Sequence, residues 1–199
     1  MLTLFHSPQS RSSRFIWLLE ELGQPYEIAY VSIKRGDGSG QADPKNPNPQ
    51  GKVPTLMHDG TLVTESPAIC LYLTDAFPAA GLGPQVGDPD RAAYLSWLFW
   101  YSAELEPALV SKFTGRIDSD DRERTAYGQM VERFEGRLAK GPFILGEAFS
   151  AADILYGSVV QWGAGMLPQR DAFDAYLQRL SARPAFARAQ ARDAAPEAA

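Results

Sequence analysis

One cysteine and two histidines are all that this 199-residue chain offers for thiol or imidazole chemistry. A lone Cys70 excludes an internal disulfide and any CxxC pair for redox or zinc work. His6 and His58 are too few and too far apart in the chain to suggest a metal site. Basic residues are also short: 19 Lys and Arg against 24 Asp and Glu leave a net charge of −5, and no stretch clusters Lys and Arg with aromatics, so nucleic acid is not an expected partner. No apolar run approaches the ~18 residues that a membrane span needs. The opening MLTLFHSPQSR lacks a basic segment followed by a long apolar stretch, so no secretory signal is expected and the cytoplasm is the expected compartment. What is present is an ordinary globular composition, 45% hydrophobic and 22% charged, long enough for one or two domains with a substantial core.

Residues 2–6 (LTLFH) form a short apolar run expected to be a buried strand. The polar turn SPQSRSS follows. Phe15, Leu18, Leu19 and Leu22 then recur at helical spacing until Gly23 and Pro25 mark the stop. Residues 26–31 (YEIAYV) read as a second strand, and the short crossover predicts parallel pairing with the first. The stretch GDGSGQADPKNPNPQGK is too rich in Gly, Pro and Asn for regular structure. Residues 55–58 and 61–64 flank Asp59-Gly60, the preferred pair for a two-residue hairpin turn. Ser66 is expected to cap the next helix, with Pro67 at the first helical position, where its missing N–H costs nothing. Residues 1–77 thus read as a β-α-β-β-α domain.

Residues 78–89 (PAAGLGPQVGDP) read as a linker and residues 90–199 as an all-helical domain. Residues 90–114 are helical in period, with Pro107 expected to kink them. A second helix covers 120–140. Ser150 and Asp153 match a capping box, with Asp in place of the usual Glu, opening a helix over 151–163 that is apolar nearly all round and is therefore expected to be central. Two short helices, 171–181 and 184–192, follow.

NPQGKVPTL (48–56), TESPAICLYL (64–73), SPQSRSSRFIWLLEEL (7–22) and GEAFSAADILYG (146–157) together resemble the cytosolic glutathione transferases, in the family's order and over nearly the whole chain. Within that family the chain is similar to bacterial, serine-type or divergent beta-like members. The resemblance implies an α/β thioredoxin-like N-terminal domain plus an all-α C-terminal helical domain, assembled as a homodimer. It implies glutathione as a co-substrate with no further cofactor and no metal, a hydrophobic electrophile as the other substrate, and a role in detoxification.

Glutathione presents an α-amino and an α-carboxylate group at one end, a thiol at the centre and a glycine carboxylate at the other end. Glu65 can take the amino group as a charge-assisted hydrogen bond. Ser66 and the first N–H groups of its helix can take the α-carboxylate; a plain cap beside a surface charge is the bland alternative. The resemblance implies that Val53 pairs its backbone with the cysteinyl unit, like an added strand, and that the bond before Pro54 is cis. Lys52 either meets the glycine carboxylate or is a solvated loop lysine. The family carries Tyr, Ser or Cys in the first βα turn as partner of the thiolate. Here the tyrosine position holds Phe5, and Ser10 takes the serine or cysteine position, with Ser12 and Ser13 as neighbours that could replace it. Phe5, Trp97, Tyr101, Glu104 and Trp162 are the candidates to meet the electrophile, although most aromatics on a helix serve packing. The cysteine-bearing bacterial class has a histidine in a stretch like AELH; this chain has AELE, with Glu106 in that place. Peroxide reduction, dehalogenation, isomerisation and non-catalytic ligand or protein binding are alternatives on the same fold.

Overall fold

A computed structural model describes residues 1–163 and 165–194. The chain forms two compact units, Met1–Ala80 together with the segment from Arg183 onward, and Gly81–Ala182. The first unit is built on a four-stranded sheet of order β2–β1–β3–β4, formed by β1 (Leu2–His6), β2 (Tyr26–Tyr30), β3 (Thr55–His58) and β4 (Thr61–Thr64). β1 and β2 are parallel, while β3 is antiparallel to both β1 and β4. The turn between β3 and β4 has Asp59 at φ 47° and Gly60 at φ 83°. Two consecutive positive φ values match the right-handed twist of the strands, which is why the pair Asp-Gly makes this hairpin.

Helix α1 (Ser13–Leu22) buries Phe15, Ile16, Trp17, Leu18, Leu19 and Leu22. It ends where Gly23 adopts φ 68° and donates its N–H to the Leu19 carbonyl, a left-handed cap that a side chain would disfavour. Helix α2 (Ser66–Ala76) buries Ile69, Cys70 and Leu73.

The second unit contains α3 (Arg91–Trp100), α4 (Glu106–Phe113), α5 (Arg116–Ser119), α6 (Asp121–Leu138), α7 (Ala151–Trp162) and α8 (Asp171–Ser181). Between α3 and α4, residues Tyr101–Leu105 form one π-helical turn, closed by the Glu106 N–H on the Tyr101 carbonyl. Pro107 follows directly. Proline has no N–H for the carbonyl four residues back, and its ring crowds that carbonyl. The widened turn accommodates the proline, so the helix is interrupted here rather than simply kinked. Asp120 caps α6 by accepting from the N–H groups of Arg122 and Glu123. The capping box at Ser150 and Asp153 is present. Helix α7 is buried from Ala151 to Val159, but its last turn emerges, and Trp162 is 46% exposed. Tyr156 is the hub of this core: its ring contacts those of Trp97, Trp100, Tyr101 and Phe134, and its hydroxyl donates to the Trp97 carbonyl at 2.9 Å.

Helix α9 (Pro184–Ala191) packs against α1, so it belongs with the sheet rather than with the helices expected to accompany it. The cause is ionic and aromatic. Arg183 forms a two-pronged pair with Glu21 at 2.6 and 2.8 Å. Glu20 accepts from Arg188 at 2.7 Å and from Arg192 at 2.9 Å. Phe186 meets Trp17 edge to face. No helix among the described residues is long and apolar enough to cross a membrane.

Candidate active site

The strand register brings three segments to one end of the sheet. β1 runs toward Phe5, Phe5 pairs with Thr55 at the start of β3, and Thr55 pairs with Thr64 at the end of β4. The turn after β1 (residues 7–12), the Val53-Pro54 step before β3 and the Glu65-Ser66 step after β4 therefore gather at that end.

The Val53-Pro54 bond is cis. The loop leading to it is held from within. Asn46 donates its side-chain amide to the Lys52 carbonyl at 3.0 Å, and the Thr55 hydroxyl donates to the same carbonyl at 2.8 Å. Asn48 donates to the Thr55 hydroxyl, and its carbonyl oxygen accepts the Gln50 N–H. Asn46 and Asn48 had read only as loop composition; their positioning role depends on contacts that no local pattern shows. Among the described residues the N–H and C=O of Val53 make no hydrogen bond with the protein, which leaves that edge open to an added strand. Lys52 is exposed.

At the third segment the structure revises one expectation. Ser66 is the first residue of α2, and the cap position is Glu65. Glu65 holds φ 70° and ψ 128°, a region that costs a non-glycine residue roughly 1–3 kcal/mol. The reversal at Glu65 places Ser66 inside the helix, so its hydroxyl does not perform the capping role. No hydrogen bond engages the Ser66 hydroxyl or the exposed Glu65 carboxylate among the described residues. The first N–H groups of a helix have no carbonyl one turn back, and their positive end favours an anion. An acceptor for an ammonium group thus adjoins donors for a carboxylate.

The three serines of the first turn are not equivalent. Ser13 is local scaffolding: its hydroxyl accepts the Ser10 N–H, and its own N–H donates to the Ser10 carbonyl. Ser12 is fully buried and lies 2.8 Å from His6 Nδ1, with its oxygen also accepting the Ser7 N–H. Ser10 is half-buried, and its Oγ lies 2.6 Å from the Ser7 carbonyl and 2.7 Å from Ser12 Oγ. Ser10 and Ser13 are both half-buried, whereas Ser12 has no surface to offer. Arg35, unremarked in the sequence, braces this turn by donating to the Pro8 carbonyl at 2.8 Å. Burial holds His6 below the ordinary imidazole value, against the pull of Asp193. Cys70 is fully enclosed, and burial pushes its thiol up to about 12, so it packs as a small apolar group with no thiolate to offer.

Phe5 is half-buried on β1. In the second unit, Tyr101 is fully buried with its hydroxyl on Glu106 at 2.8 Å, which makes it a core residue. Trp97 is half-buried beneath the Arg133 guanidinium, 5.0 Å from its ring centre. Glu104 is exposed on the π turn. Among the described residues no cluster of His, Cys, Asp and Glu could hold a metal ion.

Residues 4–84 match the profile of the glutathione S-transferase N-terminal domain, and residues 121–188 match that of the C-terminal domain. The chain is 28% identical over 189 residues to glutathione S-transferase GstA of Escherichia coli O157:H7, covering 91% of this chain and 93% of that protein. Its fold is similar to that of a glutathione transferase from Methylococcus capsulatus, with a TM-score of 0.81, 29% identity and coverage of 97% and 98% of the two chains. It is likewise similar to a sphingomonad glutathione S-transferase solved with glutathione, with a TM-score of 0.78, 31% identity and coverage of 96% and 98%. Matches in both halves, in the right order and over almost the whole length, agree with the sheet-end geometry: this chain belongs to the glutathione S-transferase family.

Proposed function

We propose that this protein is an enzyme that conjugates the thiolate of glutathione to a hydrophobic electrophile, with glutathione as co-substrate and no further cofactor. The reading assigns glutathione binding to the first unit and residence to the cytoplasm. The observation that carries it is the free Val53 edge beside a free Glu65 carboxylate and Ser66 hydroxyl, at the same sheet end as Ser10. Glu65 takes the α-amino group, Ser66 and the α2 N-terminus take the α-carboxylate, and Val53 pairs with the cysteinyl backbone. That grip delivers the sulfur to Ser10. Lys52 is positioned in sequence to meet the glycine carboxylate. Phe5, Trp97, Glu104 and Trp162 are the residues assigned to the electrophile; Tyr101 contributes only by packing.

A free thiol ionises near ~8.5, and lowering that by two units takes about 2.7 kcal/mol. One hydroxyl supplies about 1–1.5 kcal/mol of it, with a helix N-terminus adding to this. Ser10→Ala is therefore expected to reduce turnover by about 10-fold while the dissociation constant for glutathione stays nearly unchanged. Glutathione-affinity retention, a generic thiol-conjugation assay and the kinetic pKa of the bound thiol test the reading together. An unchanged kinetic pKa in Ser10→Ala rules Ser10 out as the thiolate partner, and retention without turnover points to a binding role. The homodimer is tested by sedimentation, where a species of twice the chain mass is expected.

A further inference from the structure

The hydrogen bonds behind Ser10 form a chain that ends at a group able to take a proton. Ser10 Oγ lies 2.7 Å from Ser12 Oγ, Ser12 Oγ lies 2.8 Å from His6 Nδ1, and His6 Nε2 lies 2.8 Å from the backbone carbonyl of Asp193. A carbonyl can only accept, so Nε2 carries a hydrogen. In a neutral ring Nδ1 is then a bare lone pair, and the Ser12 hydroxyl must donate to it. Ser12 cannot also donate to Ser10, so a hydrogen bond between them needs Ser10 as donor, and the one Ser10 proton is divided between Ser12 Oγ at 2.7 Å and the Ser7 carbonyl at 2.6 Å. When the Ser10 hydroxyl turns to Ser12, every proton in the chain is aligned inward, from Ser10 toward His6.

At the far end stands a second, independent feature. Asp193 Oδ1 is buried, makes no hydrogen bond among the described residues and lies 3.6 Å from His6 Nε2; the other carboxylate oxygen accepts the Gln9 N–H. A buried carboxylate oxygen left without a donor costs about 1–3 kcal/mol, and a charge on the imidazole would compensate it; burial keeps the ring neutral in the free protein despite Asp193, so that charge arises only opposite a thiolate. Among the described residues, the other titratable or charged groups nearby are Tyr30 on β2, edge to face with the ring at 5.5 Å, Arg192 beside Tyr30, and Arg35 on the adjoining loop. On α1, the charge of the buried Arg14 acts on Cys70. The Ser-His-Asp composition is not a hydrolase triad, because the serine touching the histidine is fully buried and cannot attack a substrate.

We propose that His6 is a positioning residue for the glutathione thiol, receiving its proton through Ser12 and Ser10 and stabilised as imidazolium by Asp193. This rests on the reading that the sulfur meets Ser10. The thiol proton passes to Ser10 Oγ, the Ser10 proton to Ser12 Oγ, and the Ser12 proton to His6 Nδ1. One S–H bond is replaced by one N–H bond, both hydroxyls are regenerated, and no redox change occurs. The products are a thiolate and an imidazolium. The same transfer turns Ser10 around: it now holds the former thiol proton and donates it to the sulfur.

With only two histidines in the chain, nitrogen NMR of 15N-histidine-labelled protein reads His6 directly. At neutral pH, adding glutathione should convert His6 from the neutral Nε2–H tautomer to imidazolium as the bound thiol ionises, while S-methylglutathione should leave it neutral. An ionised bound thiol, seen by its ultraviolet absorbance, beside a neutral His6 overturns the relay and leaves the transferase reading intact. Ser12→Ala breaks the chain at its centre, and Asp193→Asn, at a partly exposed site, removes the far charge without opening the core. Each should raise the pKa of the bound thiol by ~1 unit, a tenfold loss of thiolate; an unchanged value in both overturns the relay. If calorimetry shows no glutathione binding to the unmodified protein, both the relay and the transferase reading fail.

Discussion

Replacing Glu65 by alanine is expected to weaken glutathione binding by about 1.5–3 kcal/mol, the usual scale for a hydrogen bond to a charged group, or ~10- to 150-fold in the dissociation constant. The reasoning is geometric. Glu65 is exposed and unengaged, so its removal leaves no protein donor without a partner. The strained φ of 70° belongs to the backbone and persists in the alanine variant, so thermal stability should barely move. Loss of affinity at constant stability separates a ligand contact from a structural one. Glu65→Gln keeps an acceptor but loses the charge and should fall between the two. Calorimetric titration with glutathione provides the measurement, and an unchanged dissociation constant contradicts the assignment of the γ-glutamyl end to this step.

Asp153→Ala is expected to cost roughly 3–5 kcal/mol of stability, since each buried donor left unsatisfied costs about 1–3 kcal/mol. Asp153 is fully buried, and one oxygen accepts the Ile144 N–H at 2.7 Å and the Tyr176 hydroxyl at 2.8 Å. The other accepts the Ser150 N–H at 2.8 Å and lies 3.1 Å from the Ser150 hydroxyl. One carboxylate thus ties the start of α7 to the loop before it and to α8. Alanine strands these donors where water does not reach. Against a typical domain stability of 5–15 kcal/mol, such a loss brings the protein close to unfolding at ambient temperature. Tyr176→Phe removes a single donor and should cost only about 1 kcal/mol. Urea denaturation of the three proteins gives the comparison; a loss below about 1 kcal/mol for Asp153→Ala contradicts this account of the Asp153 carboxylate.

Features whose causes are local were legible in the sequence. Asp59-Gly60 announces its hairpin because few residue pairs accept two positive φ values, and Ser150 with Asp153 announces a helix start because the spacing itself makes the reciprocal bonds. Features made by distant partners were not. Helix α9 looks like any short amphipathic helix until Arg183, Arg188 and Arg192 meet Glu20 and Glu21 across some 160 residues of chain. In the string SPQSRSS only the family resemblance favours Ser10 over Ser12; the burial of Ser12 against His6, itself held from Asp193, is a difference that the string does not show. The cap position lies at Glu65 rather than Ser66 for a related reason. A capping pattern can be read from residue types, whereas a backbone reversal at Glu65 depends on how β4 leaves the sheet. Arg35 and Asn46 act through backbone carbonyls, which carry no signature of the residue that bears them, and Asn48 acts through the Thr55 hydroxyl and the Gln50 N–H.

A crystal structure of the protein with glutathione tests the account most directly. The γ-glutamyl end should lie on Glu65, Ser66 and the first turn of α2, the cysteinyl backbone should pair with Val53, and the sulfur should be within hydrogen-bonding distance of Ser10 Oγ. A complex in which other protein groups occupy Glu65 and Ser66, or in which the sulfur is directed away from residues 10–13, contradicts it.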